Sequence, residues 1–367
     1  MARSPLGKTL PDFPWNSLAP AKKLAGQHPD GIVDLSVGTP VDVVAPGVQL
    51  ALASAAEYPG YPQTAGAAEL REAIVSSLER RYGVAGVTTS SVLPVIGTKE
   101  AIAWLPTLLG LRGHKVVIPT VAYPTYEVGT LIAGAEVVRA DDPAEFDSAA
   151  LVFINSPSNP TGRVMDVQEL RAIVEWARAN DAIVASDECY ISLAWDDAKK
   201  PVSILDPRVS DGDHTGLLAL HSLSKSANLA SYRAGFIAGD EALIAELLEV
   251  RKHAGLMVPA PIQAAMTAAL SDDATEAMQA HRYAQRRAKL MRALSDVGFT
   301  IHHSEAGMYL WATRGNDCRE DVEWLAQRGI LVAPGDFYGD IGKQFVRVGL
   351  NGTDERIEAA CARLSTE

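Results

Sequence analysis

Short, continuous apolar runs alternate with segments of helical period over most of this chain. The runs Val116–Ile118, Leu151–Ile154, Ala182–Ala185 and Leu217–Leu220 carry no polar residue. A run this short without alternation predicts a strand buried on both faces. Between the runs, Leu70, Ile74 and Leu78 recur every four residues, which puts them on one face of a helix that Gly83 can close. Leu170, Ile173, Val174 and Ala177 form a second such face, ending before Asn180. Strands alternating with helices predict an α/β fold with a mostly parallel sheet covered by helices on both sides.

That pattern holds from about Ser91 to Gly239 and then changes. Long helical segments follow at 241–253 and 274–294. The tail mixes strand-like 308–311, 330–332 and 345–348 with helical 319–327, as expected of a smaller α+β domain. The proline-rich leader from Pro5 to Pro20 fits neither period and reads as an arm lying on the rest. No repeat or low-complexity segment interrupts the chain.

Length agrees with this division, since 367 residues make about two domains at roughly 150 each. A formal net charge of −12 argues against nucleic acid or anionic lipid as a partner. The termini show no secretory signal: Arg3 and Lys8 are not followed by an apolar stretch. No uncharged apolar run reaches the roughly 18 residues needed to span a bilayer. Cys189, Cys318 and Cys361 are far apart, form no CxxC pair and suggest neither disulfide nor metal. A cytoplasmic protein is expected.

Candidate chemistry collects at the ends of the predicted strands, where open α/β sheets place their ligands. The run 217–220 leads into His221-Ser222-Leu223-Ser224-Lys225, with Arg233 eight positions further on. The run 182–185 leads into Ser186-Asp187-Glu188-Cys189-Tyr190, which brings a carboxylate and a phenol to the same edge. The run 151–154 ends in Asn155-Ser156-Pro157-Ser158-Asn159-Pro160-Thr161-Gly162, where two prolines predict a rigid turn fixing Asn159. Near the end, Arg347 stands between apolar neighbours in Phe345-Val346-Arg347-Val348-Gly349, an unfavourable place for a charge unless an anion pairs with it.

With Asn-Pro-Thr-Gly, Asp-Glu-x-Tyr, Ser-x-Ser-Lys and the two arginines in this order, the chain resembles the class I aminotransferases, pyridoxal-phosphate enzymes of fold type I, from Leu35 to the terminus. The resemblance implies a seven-stranded sheet. It also implies three segments: an arm with part of the small domain (1–40), a large cofactor-binding domain (41–255) and a small domain (256–367). It makes Lys225 the lysine that holds pyridoxal 5'-phosphate and shuttles the Cα proton, and Asp187 the partner of the pyridine nitrogen. Asn159 and Tyr190 would hold the phenolic oxygen of the cofactor. Ser222, Ser224 and Arg233, with the backbone of Gly97, Thr98 and Lys99, would hold its phosphate. Tyr123 would stack on the ring, and Tyr61 would reach the phosphate from the other subunit of a homodimer. Arg347 and Gly38 would receive the substrate α-carboxylate.

The stretch 254–263 lacks the arginine with which aspartate-type members grip a side-chain carboxylate. Whole segments, among them Leu10-Pro11-Asp12-Phe13-Pro14-Trp15 and Val332-Ala333-Pro334-Gly335-Asp336, resemble the succinyldiaminopimelate branch of the family. That branch acts on a long polyanionic substrate, for which Trp15, Lys22 and Lys99 are candidate contacts. The same residues also suit another aminotransferase or a β-lyase. A regulator module would need a basic DNA-binding domain ahead of Asp34, and a nicotinamide enzyme a GxGxxG turn.

Overall fold

The computed structural model describes residues 5–365; Arg3, noted at the N-terminus, lies outside them. Seven strands form one sheet in the spatial order Val92–Val95, Gly235–Gly239, Leu217–Ser222, Ile183–Asp187, Leu151–Asn155, Lys115–Ile118, Glu136–Arg139. Only Gly235–Gly239 runs antiparallel to its neighbours; the remaining pairings are parallel. Period 2 separates the two faces of each strand: Val117, Val152 and Val184 enter one core, while Val116, Leu151 and Ala185 enter the other. Both faces are buried, which is why the sequence shows unbroken apolar runs.

The helices follow their predicted faces. Leu70, Ile74 and Leu78 lie fully buried along Ala68–Tyr82, and Gly83 closes that helix with a left-handed φ of 67°. The helix Val167–Ala179 starts with a capping box between Asp166 and Glu169.

A second core belongs to the tail. The strands Ala333–Pro334, Val346–Gly349, Tyr309–Thr313 and Thr300–His302 make an antiparallel sheet packed with the helices Cys318–Gln327 and Asp354–Leu364. Val33–Asp34 pairs in parallel with Ile330–Leu331, so the N-terminal segment is part of this unit. The proline-rich leader, expected to be irregular, contains the 3-10 turns Leu6–Lys8 and Pro14–Leu18 and the helix Ala19–Ala25. Prolines at first-turn positions start the second turn and the helix, where a missing N–H costs nothing.

Beyond residue 255, where a boundary was expected, the chain packs on the large-unit core. On the helix Ala260–Leu270, the side chains of Ala265, Met266, Ala269 and Leu270 share the core of Leu70 and Ile74, and Gln263 Oε1 accepts from Ala67 N at 2.7 Å. The next helix, Asp273–Asp296, bridges the units. Its start is ion-paired to Arg80 and Arg81 of the large one, while Tyr283, Leu290 and Leu294 are buried in the small one. A boundary inside a continuous helix leaves no linker composition for the sequence to show.

Candidate active site

Register brings the candidate residues together. Asn155 and Asp187 are paired across adjacent strands, and Leu220, two residues before Ser222, pairs with Asp187 on the next strand. The C-terminal ends of three parallel strands therefore open at one point, into a cavity of about 760 Å³ between the two units. Its walls include Gly38, Thr98, Lys99, Tyr123, Asn159, Asp187, Tyr190, Ser222, Ser224, Lys225, Arg233 and Arg347. Tyr61 is not among them: it is 94% exposed.

Lys225 sits on the short turn Leu223–Ser226, which Ser222 starts by accepting from Ser224 N at 3.1 Å. Its Nζ donates to Gly38 O, and burial holds the ammonium below its ordinary range, favouring the neutral amine. Gly38 has no room for a side chain, because a Cβ there would stand 1.9 Å from Tyr309 Oη. Asp187 is buried without a cationic partner among the described residues. Its Oδ2 accepts from Tyr126 Oη at 2.7 Å and its Oδ1 from Cys189 N at 3.1 Å. Burial raises its proton affinity in spite of both hydrogen bonds.

Both predicted prolines are preceded by cis peptide bonds, Ser156–Pro157 and Asn159–Pro160. The turn is held by Asn155, whose Oδ1 accepts from Asn159 N at 2.7 Å and whose Nδ2 donates to Asp187 O at 2.9 Å. Asn159 Oδ1 in turn accepts from Arg347 Nη1 at 3.0 Å, while Arg347 Nη2 donates to Ser36 O at 2.7 Å. The guanidinium is buried, lies 3.9 Å above the Tyr309 ring, and leaves its Nε without a partner. Tyr190 Oη and Tyr309 Oη are 3.3 Å apart. Tyr123, on the wall, has its phenol pushed up to about 12 by burial.

At the other end, Arg233 adopts a left-handed φ of 56° and donates from Nη1 to Ala230 O at 2.8 Å. Its guanidinium lies against Gly97, whose φ of 91° and a Cβ position 2.3 Å from Arg233 Nη2 both require glycine. The helix Thr98–Leu108 begins at this point with its N–H groups toward the cavity end.

Tyr126, Asn155 and Tyr309 were not singled out from the sequence. Asn155 meets Asp187 through strand register, and Tyr126 reaches it from the helix Thr125–Ala133 packed on the sheet. Tyr309 lies 84 residues beyond Lys225 in a different unit.

A buried amine, a carboxylate without an ion-pair partner among the described residues and two arginines around one cavity at the carboxyl edge of this sheet define a fold type I pyridoxal-phosphate enzyme. The chain belongs to the family described as aminotransferase class I and II, whose model matches residues 30–364. It is 63% identical to a probable aminotransferase of Mycobacterium tuberculosis, covering 99% of this chain and 87% of that protein. It is 54% identical to the 4-dedimethylamino-4-oxo-anhydrotetracycline transaminase of Streptomyces rimosus, covering 98% and 100%. Among solved structures, the N-succinyldiaminopimelate aminotransferase of M. tuberculosis superposes with a TM-score of 0.87 at 27% identity, over 99% of each chain. The protein is an aminotransferase, and its family depends on pyridoxal phosphate. No helix among the described residues is long and apolar enough to cross a membrane.

Proposed function

We propose that this aminotransferase reversibly exchanges an amino group between glutamate and N-succinyl-2-amino-6-oxopimelate, giving 2-oxoglutarate and N-succinyl-L,L-diaminopimelate, in the diaminopimelate route to lysine. The observation that carries the reading is an excess of cations in the cavity of an acidic chain. Lys22, Lys99, Lys225, Arg233 and Arg347 face it, against Asp34 and Asp187. Arg233 answers the cofactor phosphate and Arg347 the α-carboxylate, and Lys225 is the amine. Lys22 and Lys99 are then left for further anionic groups, which a succinylated dicarboxylic substrate has and a short neutral amino acid lacks. The likeness to the N-succinyldiaminopimelate enzyme supports the same reading.

The residues fit the cofactor. Asp187 is a buried carboxylate in need of a counter-charge, which a protonated pyridine nitrogen would supply. Ser222, Ser224, Arg233 and the backbone of Gly97, Thr98 and Lys99 would hold the phosphate, Tyr123 the ring face, and Asn159 and Tyr190 the phenolic oxygen. When bound, pyridoxal phosphate supplies an aldehyde for the amine and a ring that takes up electrons from the Cα–H bond. Arg347, clamped by Asn159 and Ser36 O, fixes the substrate by its carboxylate and so presents one face of Cα to Lys225. The neutral Lys225 Nζ would take the Cα proton and hold it for return across the Cα–N bond system. The working unit is a homodimer in this reading. Val43 at 77%, Leu50 at 68% and Tyr61 at 94% exposure are apolar side chains open to a second copy, and Tyr61 reaches the phosphate of the partner.

An absorbance spectrum with glutamate and then keto acids tests the whole. The visible band of the lysine-bound cofactor bleaches with glutamate and returns most efficiently with N-succinyl-2-amino-6-oxopimelate, and Lys225→Ala shows no exchange. Return with another keto acid alone would refute the substrate and favour a different transaminase, the reading to which the S. rimosus likeness points. Release of pyruvate and ammonia without a keto acid would show a β-lyase.

A further inference from the structure

The N-terminal arm forms one side of the cavity and has one feature that packing alone does not explain. Trp15 Nε1 is buried and has no hydrogen-bond partner. The indole packs between two aromatic rings, with the Phe13 ring 5.5 Å and the Phe337 ring 5.2 Å from its centre. The arm itself is anchored. Leu18 is buried in the small-domain core, and Ser17 Oγ accepts from Arg319 Nη1 at 3.1 Å, with Arg319 fixed by Asp336 at 2.7 Å. The donor is therefore held in place, and an unanswered buried N–H is unfavourable unless something else accepts from it.

The position of that donor relative to Arg347 indicates what accepts. The Arg347 guanidinium lies 5.9 Å from the Trp15 ring, Phe13 packs beside Trp15, and Lys99 Nζ stands 5.7 Å from the Phe13 ring. Lys22 stands four residues after buried Leu18, on the same face of the arm, and also lines the cavity. Neither Lys22 nor Lys99 has a carboxylate within ion-pair distance among the described residues. Partial burial and then the Arg233 charge hold the Lys99 ammonium below its ordinary range, so an anion is favoured there.

We propose that the arm is the specificity element for the remote end of the substrate. Trp15 Nε1 donates to an acyl-amide oxygen and Lys22, with Lys99, receives a carboxylate beyond it, in an amino acid whose α-carboxylate is on Arg347. This rests on the assignment of Arg347 given above. The ligand class is an N-acylated amino acid with a distal carboxylate.

The test titrates the cofactor-loaded protein calorimetrically with three unreactive acids: heptanoate, pimelate and N-succinyl-6-aminohexanoate. These carry one carboxylate, two carboxylates, and two carboxylates with an amide between them. Lys22→Gln is expected to weaken both diacids by about 3- to 5-fold and leave heptanoate unchanged, while Lys22→Arg restores them. Trp15→Phe is expected to weaken N-succinyl-6-aminohexanoate alone by about 3- to 10-fold. In turnover, both changes raise KM for N-succinyl-L,L-diaminopimelate with kcat held within about twofold. Lys23→Gln, on the same helix but not on the cavity wall, is the charge control. Equal loss for all three acids, no loss, or the same loss in Lys23→Gln would overturn the proposal. If the wild-type protein binds the acids in this order but does not turn over N-succinyl-L,L-diaminopimelate, the substrate is wrong and the subsite stands.

Discussion

Replacing Tyr126 with Phe isolates one contribution to the environment of Asp187. The Tyr126 ring is stacked on Phe153 with centroids 5.1 Å apart and meets Tyr123 edge-on at 5.9 Å, so Phe keeps the packing and removes only the hydroxyl. The hydrogen bond lost is 2.7 Å long, fully buried, and made to a carboxylate that has no ion-pair partner among the described residues. Bonds to charged groups contribute about 1.5–3 kcal/mol, which corresponds to a factor of about 10 to 150 in proton affinity. The sign follows from linkage. Burial already raises Asp187 above its ordinary value of 3.8, so the folded chain holds the proton more tightly than the unfolded one. Its contribution to stability is present below 3.8 and is lost as pH rises through the folded value. Tyr126→Phe extends that loss to higher pH. Cofactor-free Tyr126→Phe should match wild type near pH 4 and fall short by about 1.5–3 kcal/mol near pH 8 in urea denaturation. The difference should shrink in an Asp187→Asn background, where no carboxylate remains to be stabilised. In the loaded enzyme the acid limb of kcat should move to higher pH, because Asp187 works ionised. A stability difference that is flat with pH, or an unmoved acid limb, would refute the assignment of this bond to the ionised carboxylate.

Two further substitutions test the ends of the site. Arg347→Lys keeps the charge but cannot reach Asn159 and Ser36 O together, so KM for every amino acid should rise by at least about 30-fold, with cofactor retention unchanged on dialysis. Gly97→Ala forces a Cβ to 2.3 Å from Arg233 Nη2 at a φ of 91°, at a cost of about 1–3 kcal/mol. It should lose cofactor on gel filtration at concentrations where wild type keeps it, whereas an unchanged stoichiometry would place the phosphate elsewhere.

What could be read from the sequence follows from how each feature is encoded. The strands were legible because a two-faced buried sheet writes itself as continuous apolar runs, and Lys225, Asp187, Asn159 and Arg347 because each lies just beyond or within such a run. Residues that act through a neighbour in space carried no such mark. Tyr126 looks like a core aromatic, and only the pairing of Asn155 with Asp187 on adjacent strands reveals what its amide does. The packing of the helix 260–270 has the same origin, since the helix is apolar toward whichever unit it packs on, and its period does not say which. The arm is the opposite case. Its composition suggested an irregular arm lying on the rest, and Leu18 in the small-domain core and Ser17 on Arg319 tie it to the unit that also carries Arg347 and Tyr309. The cofactor-side residues Asp187 and Ser222 lie on the large sheet, and Lys225 on the turn that directly follows it. Any motion of the small unit against that sheet therefore moves the α-carboxylate site and the arm together as one body. A ligand long enough to touch Trp15 and Lys22 as well as Arg347 would therefore meet residues of the small unit at each of these points, with Lys225 facing it from the large one.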